Sequence, residues 1–281
     1  MHTSSSYSSS RPFLRTAAAT AAVVGALSLG VAHAPSAQAI AFGQVPNLST
    51  AHSATRLVLG DMYCSGTLIA PQWVITARHC VGNGDRSFVG VGATVIADNH
   101  HATEVALHPS ADLALVRLDR PSVAPVARLN TWHTAPGDHA ELQGWGAFRT
   151  QRMPFAQQAT GTIERRVFDV NLGQTRTGKD PLLQVTVGGG RLQHGDSGSG
   201  MFIGGALTGV ASLSNNATDG IPEGVLGWYV PVAEYVDWIS RVTGQDFGAP
   251  VGAPMPAQDA AQVPTQVPAP SAPPLFPGIS S

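Results

Sequence analysis

The sequence predicts an all-β architecture, a barrel or a sandwich. Short apolar segments recur from residue 54 to residue 232, several of them alternating apolar with polar side chains. Gly, Pro, Asn and Asp stand between them, as turn residues stand between strands. Helical periodicity is scarce, and many short strands with little helix belong to barrels and sandwiches.

In order, the predicted strands are "ATRLVLG" (54–60), "CSGTLIA" (64–70), "WVITA" (73–77), "FVGVGATVIA" (88–97) and "LALVRL" (113–118). Then come "HAELQGWG" (139–146), "GTIERRVFDV" (161–170), "LLQVTV" (182–187), "SGMFIG" (199–204), "LTGVASL" (207–213) and "LGWYVPV" (226–232). The main helical candidate is 232–244. Val232, Tyr235, Val236, Ile239 and Val242 recur at three and four, and Gly244 stands where a helix would stop.

The two ends differ from this middle. Arg11 and Arg15 precede an apolar, Ala-rich run over 16–32, and Ala37–Gln38–Ala39 follows as a small-residue site. That order reads as a secretory signal peptide over 1–39, removed before Ile40, and makes the protein extracellular, with no membrane attachment after cleavage. Cleavage after Ala34 would put Pro35 first. Residues 248–281 are rich in Pro and Ala without an apolar face, and read as a flexible tail.

The remaining 40–247 form the working domain. A net charge of −2, with no basic cluster, excludes a nucleic-acid footprint. Export permits disulfides, and the chain has two cysteines, Cys64 and Cys80. One intrachain bridge is the economical reading; two free thiols or an intermolecular pair are the alternatives.

Three stretches carry chemistry. "WVITARHCVG" (73–82) ends an apolar strand on His79, beside Cys80. A histidine at a strand end can be rigid and still reach a cleft. "SADLALVRLDRP" (110–121) places Asp112 at the start of a strand and Asp119 at its far end beside Arg120. "QHGDSGSG" (193–200) sets Asp196, Ser197 and Ser199 among glycines. Glycine permits backbone conformations closed to other residues, and amides in such a turn can converge on an oxyanion. A serine hydroxyl attacks well only when a base takes its proton, and an imidazole base needs an acid to fix its tautomer. The chain offers all three partners, in the order His, Asp, Ser.

That order and those settings resemble the chymotrypsin/trypsin superfamily of secreted serine proteases. "TARHC" resembles its T-A-A-H-C, with Arg78 in place of the second alanine, and "DLALVRL" resembles D-I-A-L-L-x-L. "GWG" (144–146) and "YVDWI" (235–239) resemble its G-W-G and the start of its C-terminal helix. The resemblance implies two packed six-stranded Greek-key barrels, about 40–129 and 130–231, followed by a helix over 232–244, with substrate in the cleft between.

It also implies roles. His79 is the general base and then acid, Asp112 orients it, and Ser197 attacks the scissile carbonyl. The N–H groups of Gly195 and Ser197 form the oxyanion hole, Cys64 and Cys80 are bridged, and Ser199 only packs. Asp196 pairs with a new α-amino group at Ile40, where "IAFG" resembles I-V-G-G. The specificity pocket falls to Arg191, Ser212, Leu213, Ser214 and Gly227. Trypsin-like members carry Asp where this chain has Arg191, so direct recognition of Lys or Arg there is unsupported. The arginine either favours an acidic P1 side chain or turns to solvent. No cofactor or metal is expected, His100–His101 lacking a third ligand nearby. Expected partners are protein or peptide substrates and protein protease inhibitors, acting on a monomer. The competing reading is a non-catalytic relative serving as a binding or adhesion module. A lipase or esterase would need G-x-S-x-G in a strand–turn–helix setting, which the all-β surroundings do not supply.

Overall fold

The computed structural model describes residues 40–46, 51–146, 154–172, 175–215 and 221–260. The expected signal peptide lies outside them.

The first sheet is built from β1 (Ala54–Leu59), β2 (Met62–Ala70), β3 (Trp73–Thr76), β4 (Ser87–Val91), β5 (Asp98–His100), β6 (Ala102–Leu107) and β7 (Ala114–Leu118). Its order is β5-β4-β1-β2-β3-β7-β6. β1 and β2 form a tight hairpin closing at Leu59↔Met62, with Gly60 at φ +61, where a side chain would be strained. β5 and β6 are separated only by His101, so one bent strand pairs with β4 at its start and β7 at its end. The expected six-stranded barrel is thus closed through the chain at His101 rather than by a continuous ladder. His100 sits buried at that bend, its Nδ1 3.1 Å from Asp119 Oδ1 and its Nε2 2.9 Å from Asp98 Oδ2.

The second sheet contains β8 (Arg128–Leu129), β9 (His139–Gly144), β10 (Gln157–Phe168), β13 (Leu182–Gly188), β14 (Gly200–Ile203), β15 (Ala206–Ser214), β16 (Leu226–Pro231) and β17 (Ala257–Asp259). A small hairpin, β11 (Asn171–Leu172) and β12 (Thr175–Arg176), projects from it. The order β13-β16-β15-β14-β9-β10 is closed by a β10–β13 ladder, a complete six-stranded barrel. β8 pairs with β15, so the chain enters the second sheet slightly before the expected boundary at 129.

Each end of the domain packs away from its sequence neighbours. Ile40 is fully buried among Leu142, Leu183 and Val185 of the second barrel. Val232, Tyr235 and Ile239 pack in one cluster with Trp73, Leu113 and Leu115 of the first. The C-terminal helix starts as a 3₁₀ turn (Val232–Tyr235) and becomes α1 (Val236–Thr243), stopped by Gly244 at φ 69. No helix among the described residues is long and apolar enough to cross a membrane.

The tail departs from expectation. Val251 bridges Trp132, and β17 runs parallel to β10 with Arg166↔Ala257, Val167↔Gln258 and Phe168↔Asp259 paired. Residues 248–260 are therefore docked chain; 261–281 lie outside the described residues. β10 outruns β9, whose pairing ends at Gln157–Thr162, and its free edge supplies hydrogen-bond partners that the segment's composition cannot reveal.

Candidate active site

Register brings the first two site residues together. β3 pairs antiparallel with β7, ending at Thr76↔Ala114. His79 follows β3 in a 3₁₀ turn (Arg78–Cys80), and Asp112 precedes β7. The two therefore emerge at the same end of one ladder. His79 Nδ1 lies 2.8 Å from Asp112 Oδ2, and the His79 amide donates to Asp112 Oδ1 at 2.9 Å. Ser212 Oγ donates to Asp112 Oδ2 at 2.6 Å. Burial pushes the Asp112 carboxyl up, but the bonds and charge of His79 and the Ser212 bond outweigh it and hold the group below its ordinary value. The acid is thus ionised, and its bond to Nδ1 leaves Nε2 of the ring as the position that can accept a proton.

Ser197 sits on a turn forced by its neighbours. Gly195 and Gly198 have φ of 100° and 79°. A Cβ on Gly198 would lie 2.3 Å from Ser65 O and 2.1 Å from Thr76 Oγ1, so the turn packs directly against the first barrel. Ser65 clamps it: its amide donates to Ser197 O at 2.8 Å, and its hydroxyl donates to Gly195 O at 2.8 Å. Among the described residues, the N–H groups of Gly195 and Ser197 find no protein acceptor, which leaves them free for an oxyanion. Ser199 is fully buried, and its hydroxyl has no partner there.

Asp196 points the other way, into the second barrel. It is 2% exposed and accepts the amides of Gly146 (2.8 Å) and Gln193 (2.9 Å). The Ile40 amide also bonds it, although burial dominates and raises the carboxyl to about 7. Cβ atoms on Gly144 or Gly146 would collide with this carboxylate at 2.3–2.4 Å, which explains the glycines flanking Trp145.

His79, Asp112, Gly195, Ser197, Ser212, Leu213 and Ser214 line one cleft of about 830 Å³. Cys64 and Cys80 are disulfide-bonded beside it. Their sulfurs and a His79 nitrogen lie within 4.8 Å of one another, but sulfurs joined to each other are not thiolate ligands. A model of the trypsin family matches residues 43–239.

The chain belongs to the trypsin family.

It is a chymotrypsin/trypsin-like serine peptidase. A peptidase of Corynebacterium glutamicum (strain ATCC 13032) is 37% identical over 239 residues, spanning 84% of this chain and 85% of the relative. Human kallikrein-12 is 30% identical over 205 residues, 65% of this chain and 81% of the relative. Among solved structures, kallikrein-related peptidase 10 superposes with a TM-score of 0.55 at 21% identity, over 72% of this chain and all of that one, and supports the fold.

Of the two alternatives for Arg191 in this peptidase, the structure has the one turned to solvent. Arg191 does not line the cleft. It bridges Ala41 with its backbone, and its exposed guanidinium lies 5.7 Å from the Phe42 ring centroid. Side chains alternate along an extended segment, so the inward position passes to Leu192, which is 2% exposed. Gly227 packs against Leu192 and Tyr229. A Cβ there would meet Leu192 Cδ1 at 2.6 Å and Tyr229 Cε2 at 2.9 Å. Ser65, Leu192 and Glu223, the last lining the cleft, carry no motif that sequence reasoning could have found.

Proposed function

We propose that the peptidase is a secreted endopeptidase that hydrolyses peptide bonds through an acyl-enzyme. His79 takes the proton of Ser197 as the hydroxyl attacks the scissile carbonyl, then returns a proton to the leaving amine. Asp112 holds the tautomer and stabilises the imidazolium. The amides of Gly195 and Ser197 receive the oxyanion, and water attacks the ester on the same base. Leu213 and Ser214, at the end of β15, offer backbone to an extended substrate as an added strand. The single observation that carries the reading is the contact of 2.8 Å between His79 Nδ1 and Asp112 Oδ2 in the cleft that also holds Ser197.

Maturation follows from the same reading. Signal cleavage after Ala39 frees the Ile40 amine beside Asp196, so export itself completes the site. The amide of Ile40 already bonds that carboxylate in the uncut chain, which supports a short path for the new ammonium.

A fluorophosphonate probe applied to protein beginning at Ile40 tests this. Labelling is expected at Ser197, abolished in Ser197→Ala and sharply reduced in His79→Ala. Folded mature protein that takes no label would instead be a binding module.

A further inference from the structure

Arg78 stands where the motif T-A-A-H-C has alanine. It shares the 3₁₀ turn of His79, and its side chain reaches the turn that carries Asp112. Arg78 Nη1 donates to His108 O at 2.7 Å and to Pro109 O at 3.0 Å. The same turn is closed from within by His108. Its Nδ1 accepts the amides of Ser110 (3.3 Å) and Ala111 (3.0 Å), and its own amide donates to Leu113 O at 2.9 Å. The His108 ring is held edge-on by Tyr235 and Trp238, at centroid distances of 4.8 and 5.0 Å.

The β3–β7 ladder ends at Thr76↔Ala114, so no strand pairing fixes 108–112 against 78–80. The Asp112–His79 contact depends on how two turns are spaced, and a misplacement of about 1 Å in such a contact costs roughly 100-fold in rate. We propose that Arg78 and His108 are positioning residues that together fix the 108–112 turn and hold Asp112 against His79. His108 can accept two amides at Nδ1 only while that nitrogen is unprotonated. Burial lowers its pKa, Asp180 opposes this, and Arg78 and Arg241 add to it, which keeps the ring neutral.

The inference rests on the serine-peptidase reading, and one set of variants separates the two. The protein beginning at Ile40 is assayed with a peptide ester for kcat and KM, and thermal midpoints confirm folding. Arg78→Ala is expected to lower kcat about 10-fold with KM unchanged within about 2-fold, and Arg78→Lys to recover most of that loss. His108→Asn, whose side-chain oxygen still accepts, should stay within about 3-fold of wild type, whereas His108→Leu should lose about 10-fold. In an Asp112→Asn background, Arg78→Ala should cost less than about 2-fold, because the carboxylate it positions is gone.

A raised KM with unchanged kcat would make Arg78 a substrate contact and overturn the inference. So would an undiminished effect of Arg78→Ala in the Asp112→Asn background. If Arg78→Ala does not fold, the His108→Asn and His108→Leu pair decides: equal kcat in both overturns it. Inactive wild-type protein would instead remove the peptidase reading itself.

Discussion

Ser212 reaches Asp112 across the two barrels, donating its hydroxyl to Oδ2 at 2.6 Å while His79 occupies the same oxygen at 2.8 Å and its amide takes Oδ1 at 2.9 Å. The carboxylate is wrapped by three donors from two segments far apart in the chain. Removing one leaves it ionised but less constrained. Ser212→Ala is expected to lower kcat/KM by about 10-fold, the worth of one charge-assisted bond, with little change in thermal midpoint. Steady-state kinetics beside a melting curve checks this, and unchanged kcat/KM would remove the bond from the catalytic account.

Asp196 makes stability depend on pH in the uncut chain. Its carboxyl is raised from 3.8 to about 7 by burial. The folded state therefore keeps a proton that the unfolded state has lost, and stability falls as pH rises from about 4 through about 7. The loss is on the order of 4 kcal/mol. Chain extended before Ile40 should unfold in less urea at pH 8 than at pH 5, and Asp196→Asn should erase that difference. The chain beginning at Ile40 gains an ammonium partner and should show the opposite preference for an ionised Asp196. Asp196→Asn in that form should lose activity, since a buried ammonium left unpaired is costly. Equal urea midpoints at both pH values in the extended chain would contradict the account.

What could be read from the chain alone was whatever is local. Short strands, the stop at Gly244 and the glycines around Ser197 impose their own geometry, so their positions follow from nearby residues. Arg191 shows the limit. Counting back from Ser197 finds the position but not the direction of its side chain, which is set when Ala41 pairs with it and Leu192 takes the inside. Residues 248–260 show the same limit. Their Pro and Ala carry no apolar period, yet β17 docks because β10 presents an edge made elsewhere. Ser65 and Arg78 act through carbonyls of distant turns, and a carbonyl leaves no mark in a sequence.

The docked tail should contribute stability. Besides the β17 ladder, Arg166 joins Glu234 through two bonds of 2.6 and 2.8 Å and reaches Met255 O at 3.4 Å, tying β10, the 3₁₀ turn and the tail together. Truncation after Phe247 removes the ladder and that carbonyl and bares the β10 edge. The expected cost is roughly 1–3 kcal/mol, seen as a fall of several degrees in thermal midpoint. A midpoint unchanged by this deletion would mean that the docked segment adds nothing to the fold.

Leu192 is packed inside the second barrel against Gly227. It is 2% exposed, and its Cδ1 is 2.6 Å from where a Gly227 Cβ would stand, so that space is full. Arg191, turned outward over Phe42, places no charge there. The prediction is that this filled space bounds the P1 subsite, which would then take a small side chain and offer no counter-charge to a large cation or anion, whose unpaired burial is costly. Cleavage of a peptide library should therefore favour Ala, Ser or Val at P1 over Lys, Arg, Asp and Glu. Leu192→Ala should extend the profile to larger apolar residues, raising kcat/KM for Leu or Phe at P1 by about 10-fold, the order expected when one or two methylenes of space are gained. Efficient cleavage after Arg by the unmodified protein would show that another acid of the cleft lining, Glu223 or Asp180, supplies the charge.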